Sequence, residues 1–249
     1  MKIAVAGKGG VGKTTFTAWL GDYLARQGED VWLVDADTAL SLGAAIGLPP
    51  ELIPEPLIQD KELIRERVGT GGFISLNPDV VDLPERLSIK FHGMNLLVMG
   101  SVAGAGGGCA CEANSLLKAL LAHLVMQGNQ WVLVDLEAGV EHLGRGTVEA
   151  CDGLVVVSEA SRRSLDTAAK VATMARELGL ERQYLVLNRA PATIKPPKIK
   201  GLPELAATIP RLASLEERQL HKSTVLGLHE MAAIDQVCAH IVNVLQSGP

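Results

Sequence analysis

Three groups of residues have types and spacings suited to chemistry. The first is the run Gly7-Lys8-Gly9-Gly10-Val11-Gly12-Lys13-Thr14-Thr15, in which two glycines bracket four residues and a lysine and a threonine follow. Glycines without Cβ let successive backbone N–H groups converge on phosphate oxygens, and a helix opening at Thr14 adds its partial positive charge. Lys13 is then placed to reach β- and γ-phosphates and the Thr14 hydroxyl to ligate Mg²⁺, with Gly9, Gly10, Val11, Gly12 and Thr15 cradling the anion. The second group is carboxylates at the ends of apolar runs: Asp35 and Asp37 close Val31-Trp32-Leu33-Val34-Asp35-Ala36-Asp37, and Asp135 closes Trp131-Val132-Leu133-Val134-Asp135. Carboxylates at the carboxyl ends of parallel strands stand beside the crevice where open α/β sheets bind ligands. The third group is Cys109 and Cys111, one residue apart behind Gly106-Gly107-Gly108. In an extended chain residues i and i+2 face the same side, so both sulfurs reach one ion. A closed thiolate site takes four ligands, and a two-fold axis that brings two such pairs together supplies them.

The elements that must position these groups follow from periodicity. Short apolar runs alternate with longer stretches of helical period, the pattern of a mostly parallel sheet with crossover helices on both faces. Strands are expected at Lys2–Ala6, Val31–Asp35, Phe73–Asn77, Asn95–Met99, Trp131–Asp135, Leu154–Ser158, Tyr184–Leu187 and Ala207–Ile209. Helices are expected at Thr14–Gln27, Asn114–Met126, Ser161–Leu178 and Ala232–Leu245, with shorter ones at Leu202–Ala206 and Ser214–His221. Gly100–Gly108 and Ala190–Gly201 read as loops, the latter because Pro191, Pro196 and Pro197 interrupt any regular element. The phosphate-binding run lies between the first strand and the first helix, the context such a loop requires.

Composition bounds the function classes. With 249 residues and 47% hydrophobic content, the chain has enough apolar material for a full core and reads as one α/β domain spanning residues 1–249. A formal net charge of −5 and the absence of a basic arm argue against a nucleic-acid partner. Met1-Lys2-Ile3-Ala4-Val5-Ala6 runs straight into the phosphate loop, and no apolar run reaches the ~20 residues that span a bilayer. The expectation is therefore a cytoplasmic protein without membrane attachment. Of the four cysteines, Cys151 and Cys238 lie in apolar or helical surroundings and read as packing residues. No two of the six histidines are spaced i, i+4, so a separate histidine metal site has little support.

The stretch Lys8-Gly9-Gly10-Val11-Gly12-Lys13-Thr14-Thr15, with its second lysine, resembles the deviant Walker A loop of the MinD/ParA, nitrogenase iron-protein and metallochaperone ATPase superfamily. The resemblance implies a P-loop ATPase in which Lys8 contacts the nucleotide of a facing subunit, so that nucleotide drives a homodimer. It makes Asp135 the Walker B aspartate, Asp35 the Mg²⁺-side switch I residue and Asp37 the residue that positions attacking water. Gly139, in Leu136-Glu137-Ala138-Gly139-Val140-Glu141-His142, matches the switch II glycine that senses the γ-phosphate, and Asn188 the asparagine that reads the adenine edge. His142 in this segment is a further candidate relay.

With Cys109-x-Cys111 and the stretch Asp135 to Thr147 added, the chain is similar to the CooC type, including the closely similar AcsF proteins. These ATPases insert nickel into carbon monoxide dehydrogenase or acetyl-CoA synthase. That implies Ni²⁺ or Zn²⁺ at a four-thiolate site shared across the dimer, and a nickel-containing client enzyme. Two other readings compete. An iron–sulfur carrier typically uses Cys-x-x-Cys, and a bridging cluster of the nitrogenase iron-protein kind needs a cysteine in Leu136–Gly146, which has none. A MinD- or ParA-like positioning ATPase needs a C-terminal amphipathic anchor or a basic patch and leaves the cysteines idle.

Overall fold

The computed structural model of the protein describes residues 1–69, 75, 77–100, 109–126, 130–137 and 151–247. Through its first half the chain runs β1 (Lys2–Ala6), α1 (Lys13–Arg26), β2 (Asp30–Ala36), α2 (Leu42–Ile46), α3 (Lys61–Val68), α4 (Leu83–Leu87), β3 (Ser88–Phe91), β4 (Met94–Val98) and α5 (Cys109–Met126). It continues through β5 (Gln130–Leu136), β6 (Gly153–Glu159), α6 (Arg162–Glu177), β7 (Gln183–Asn188), β8 (Glu204–Thr208), α7 (Ala213–Gln219) and α8 (Met231–Ser247). The strands form one sheet in the order β3-β4-β2-β5-β1-β6-β7-β8. Every pairing is parallel except that of β3 with β4.

Helices cover both faces, which is why the central strands are apolar at nearly every position. Side chains alternate across the sheet: Ile3 and Val5 of β1 join Trp19 and Leu20 of α1 and Ile241 of α8 in one core layer. Ala4 and Ala6 join Leu116 and Leu120 of α5 and Leu165 and Ala172 of α6 in the other. Among the described residues no helix is long and apolar enough to cross a membrane.

The strand order decides where the chemistry sits. β1 lies between β5 and β6, and β5 lies between β1 and β2. The loop that leaves β1 and the carboxylates that end β2 and β5 therefore share the carboxyl edge of three adjacent strands. Asp35 and Asp135 are direct register partners, and Asp135 is also opposite Val5. The chain moves to one side of β1 before β5 and to the other from β6 onward, which makes this edge the topological switch point.

Several expectations need correction. Leu202–Ala206 is not helical, because Glu204–Thr208 pairs parallel with β7 as a sheet-edge strand, with a register shift between Leu185 and Val186. Ser88–Phe91 forms a strand that the sequence reading did not place. It is joined to β4 by the two-residue turn His92-Gly93, both at positive φ (48° and 78°), as a tight hairpin requires. The short helices α2, α3 and α4 were also not anticipated, and the helix expected from Asn114 begins at Cys109. The strand expected at Phe73–Asn77 lies almost wholly outside the described residues, as does the glycine-rich loop beyond Gly100. The segment 190–201 is irregular, as its prolines require.

Candidate nucleotide site

The loop between β1 and α1 is shaped by two glycines that no other residue can replace without rearrangement. Gly7 has φ 148°, and a Cβ there would stand 2.1 Å from the carbonyl oxygen of Val157 on β6. Gly12 caps α1 in the left-handed region at φ 97°, and a Cβ would stand 2.4 Å from Nδ2 of Asn188. Inside the loop Val11 N–H donates to the Lys8 carbonyl at a long 3.4 Å. Among the described residues none accepts from the amides of Gly9, Gly10 or Gly12. Gly9 and Gly10 are solvent-exposed, so these donors face an open approach at the start of a helix of 14 residues. That is an anion cradle.

Charge converges beneath the cradle. Lys13 is only 6% exposed and forms no ion pair among the described residues. Asp135 is fully buried, and neither of its carboxylate oxygens has a hydrogen-bond partner. Burial pushes its pKa up to about 7; the Thr14 hydroxyl stands near enough to pull it back without meeting hydrogen-bond geometry, Lys13 also lowers it by its charge, and Asp35 and Asp37 raise it further. Asp35 is also pushed up to about 6, again chiefly by burial. It is tied to the chain: one oxygen accepts from Leu42 N–H at 2.9 Å and the other from Asp37 N–H at 3.3 Å, so it fixes the turn from β2 into α2. Asp37 accepts from Ala39 N–H at 2.9 Å, which holds its carboxylate at the mouth of the same turn.

Orphaned buried carboxylate oxygens beside an unpaired lysine describe a site built for a cation and an anion together. A hard divalent ion fits. Among the described residues no three His, Cys, Asp or Glu side chains form a metal-binding group of their own. Mg²⁺ does not require one, since it is held by one or two carboxylates with phosphate oxygens and waters completing the octahedron. Asp135, the Thr14 hydroxyl and Asp35 are the residues here that would hold it.

Asn188, at the end of β7, braces the loop: Nδ2 donates to the Val11 carbonyl at 2.8 Å, while Oδ1 accepts from Arg189 N–H at 2.9 Å. Beside it opens a cleft lined by Gly12, Thr15, Asn188, Arg189, Pro210 and the α7 residues Leu215, Glu216 and Gln219. Arg189 and the α7 wall were not among the expected site residues. Arg189 adopts φ 53° and pairs with Glu159 of β6 at 2.7 Å. No periodicity marks such a position, and only its place after Asn188 hinted at it.

Gly139 and His142 lie outside the described residues. Cys109 and Cys111 stand in the first turn of α5 rather than in extended chain. The same-side argument from an extended backbone therefore does not apply, because positions i and i+2 are not neighbours on a helix surface. Cys238 is buried in the core, and Cys151 packs against the opposite layer, as expected. Burial pushes the Cys151 thiol up to about 12 and raises that of Cys238 as well, so neither is a thiolate at neutral pH.

Residues 2–226 match the CobQ/CobB/MinD/ParA nucleotide binding domain. The chain belongs to that family. It is an ATPase. It is 44% identical over 195 residues to the carbon monoxide dehydrogenase accessory protein CooC of Rhodospirillum rubrum, covering 76% of this chain and 74% of that one. An uncharacterized ATP-binding protein of Methanocaldococcus jannaschii is 37% identical over 194 residues, 76% of this chain and 75% of the relative. The fold is that of the MinD cell division protein of Aquifex aeolicus, with a TM-score of 0.69 over 97% of both chains at 22% identity.

Proposed function

We propose that this ATPase serves the maturation of carbon monoxide dehydrogenase or acetyl-CoA synthase, inserting nickel as a nucleotide-dependent homodimer. The observation that carries the reading is the 44% identity to CooC over three quarters of both chains. Lys13 neutralises the β- and γ-phosphates, the loop amides hold their oxygens, and Asn188 offers its second Nδ2 hydrogen to a base lying in the adjoining cleft. Mg²⁺, when bound, would be held by Asp135, the Thr14 hydroxyl and Asp35 and would neutralise the charge that develops on the phosphates. Asp37 orients the attacking water, and Gly139 follows the γ-phosphate as it leaves.

Lys8 is half-exposed and without an ion pair among the described residues, which suits a cation that reaches across to a partner's nucleotide. Cys109 and Cys111 supply half of a tetrahedral thiolate site for Ni²⁺ or Zn²⁺, and the second copy supplies the other half, a reading supported by the likeness to CooC and not by an extended backbone. Two facts support their coupling to nucleotide. α5 begins after β4 and precedes β5, so its first turn stands at the sheet edge that carries the phosphate loop. Its body is anchored by Leu116 and Leu120, which are fully buried. ATP and metal then favour the same closed dimer, and each tightens the other's binding by linkage.

The test is equilibrium dialysis with Ni²⁺ or Zn²⁺, alongside mass measurement of the assembly, for wild type and Cys109→Ser/Cys111→Ser. The expected result is one ion per two chains, a dimer with ATP, and loss of both metal and metal-dependent tightening in the variant. One ion per monomer, or undiminished binding in the variant, would overturn the shared site.

A further inference from the structure

On the sheet face opposite α1, the helix α6 and the segment after β7 enclose a groove of about 510 Å³ that the nucleotide chemistry does not use. Its floor is apolar, made by Ala169, Met174 and Ile199, and Lys170 and Lys200 stand on its rim. The one acidic residue among the described residues that line it, Asp166, is already paired with Arg162 at 2.9 Å. Lys195 and Lys198 lie on the same segment, and residues 190–201 contain no acidic residue. All four lysines are exposed, and none forms an ion pair among the described residues. In a chain of formal net charge −5, this is a concentrated and unneutralised positive patch.

The segment is held in place rather than draped over the surface. Gly201 sits so close to α6 that a Cβ would stand 2.4 Å from Thr173 Oγ1 and 3.2 Å from the Ala169 carbonyl. Ile194, Ile199 and Leu202 pack against the core layer, and Pro196 and Pro197 stiffen the chain between them. A groove whose walls are fixed before binding loses little entropy when a ligand enters.

We propose that this groove docks an acidic segment of a partner protein. An apolar side chain of that segment seats on Ala169, Met174 and Ile199, and its carboxylates pair with Lys170 and Lys200 inside the field extended by Lys195 and Lys198. A peptide fits better than a bilayer. Among the described residues the large hydrophobics that stand exposed are Leu52, Val81 and Leu220, none of them here, so the patch lacks a side chain to insert between lipids. The docking needs neither nucleotide nor metal, so it stands or falls separately from the nickel reading.

The experiment is fluorescence anisotropy of the full chain with a fluorescein-labelled synthetic peptide repeating Glu-Leu-Glu-Glu. A second peptide carries serine for leucine, and vesicles of phosphatidylglycerol are added as competitor. Wild type should bind the leucine peptide, and raised salt should weaken the complex. Lys170→Glu/Lys200→Glu should weaken it at least about tenfold. Lys90→Glu, on β3 at the opposite edge of the sheet, should leave it unchanged. Thermal melts check that the variants are folded. The proposal is overturned if the double variant binds as wild type, if the serine peptide binds equally well, or if the vesicles retain the protein and displace the peptide.

Discussion

Replacing Gly12 by alanine should damage the loop in two separable ways. The first is conformational: at φ 97° a residue with a Cβ is strained by ~1–2 kcal/mol. The second is steric, since the new Cβ would stand 2.4 Å from Asn188 Nδ2, and that side chain must swing away. Doing so breaks its bond to the Val11 carbonyl, and stranding a buried acceptor costs about 1–3 kcal/mol. The sum is about 2–5 kcal/mol, read as a drop in the urea midpoint at constant slope. Asn188→Ala alone should cost that bond and the one its Oδ1 accepts from Arg189 N–H, with no conformational strain. In the double variant the steric cost disappears, so the total should fall short of the sum of the singles by about 1–3 kcal/mol. Mg·ATP should no longer stabilise Gly12→Ala, because the displaced loop presents its amides to the wrong point. Strictly additive losses in the cycle would refute the packing argument, since they would mean that Gly12 and Asn188 do not share a contact.

Other outcomes follow from the same site. Asp135 is more readily protonated in the folded protein than in the unfolded chain, so the nucleotide-free protein loses stability as pH rises from below 4 through about 7. Taken alone, its shift corresponds to about 4 kcal/mol. Asp135→Asn should therefore be stabilising relative to wild type at pH 7.5 and much less so at pH 4.5 in urea titrations, while abolishing stabilisation by Mg·ATP; equal effects at the two pH values would contradict this. Lys8→Ala should bind ATP yet stay monomeric with it by light scattering, and Asp37→Ala should bind ATP but release phosphate at least about tenfold more slowly. A normal dimer in the first, or a normal rate in the second, would remove the assigned role.

Much of this was legible in the sequence because the strongest local signals coincide with the site. Gly7, Gly12, Lys13 and Thr14 announce the cradle through spacing alone, and the apolar runs ending in Asp35 and Asp135 announce strands covered on both faces. That those two carboxylates would be register partners was not legible, since it depends on β5 inserting between β1 and β2 and on no local preference. The edge elements were read less well for a related reason. β3 and β8 are half-exposed strands of four and five residues, too short for periodicity to separate from loop or helix. Cys109 and Cys111 show how a glycine run misleads: it suggested an extended pair, whereas the helix that follows recruits both residues into its first turn.

In the proposed function, ATP turnover at the loop drives metal delivery by the cysteine pair. This coupling is tested most directly by the carbon monoxide oxidation activity that nickel-free carbon monoxide dehydrogenase gains when incubated with the Ni²⁺-loaded protein. Full activation is expected with Mg·ATP, with none above the free-ion background when ATP is replaced by a non-hydrolysable analogue, or when Lys13→Ala or Cys109→Ser/Cys111→Ser replaces wild type. Equal activation by Lys13→Ala, or by the cysteine variant, would contradict it.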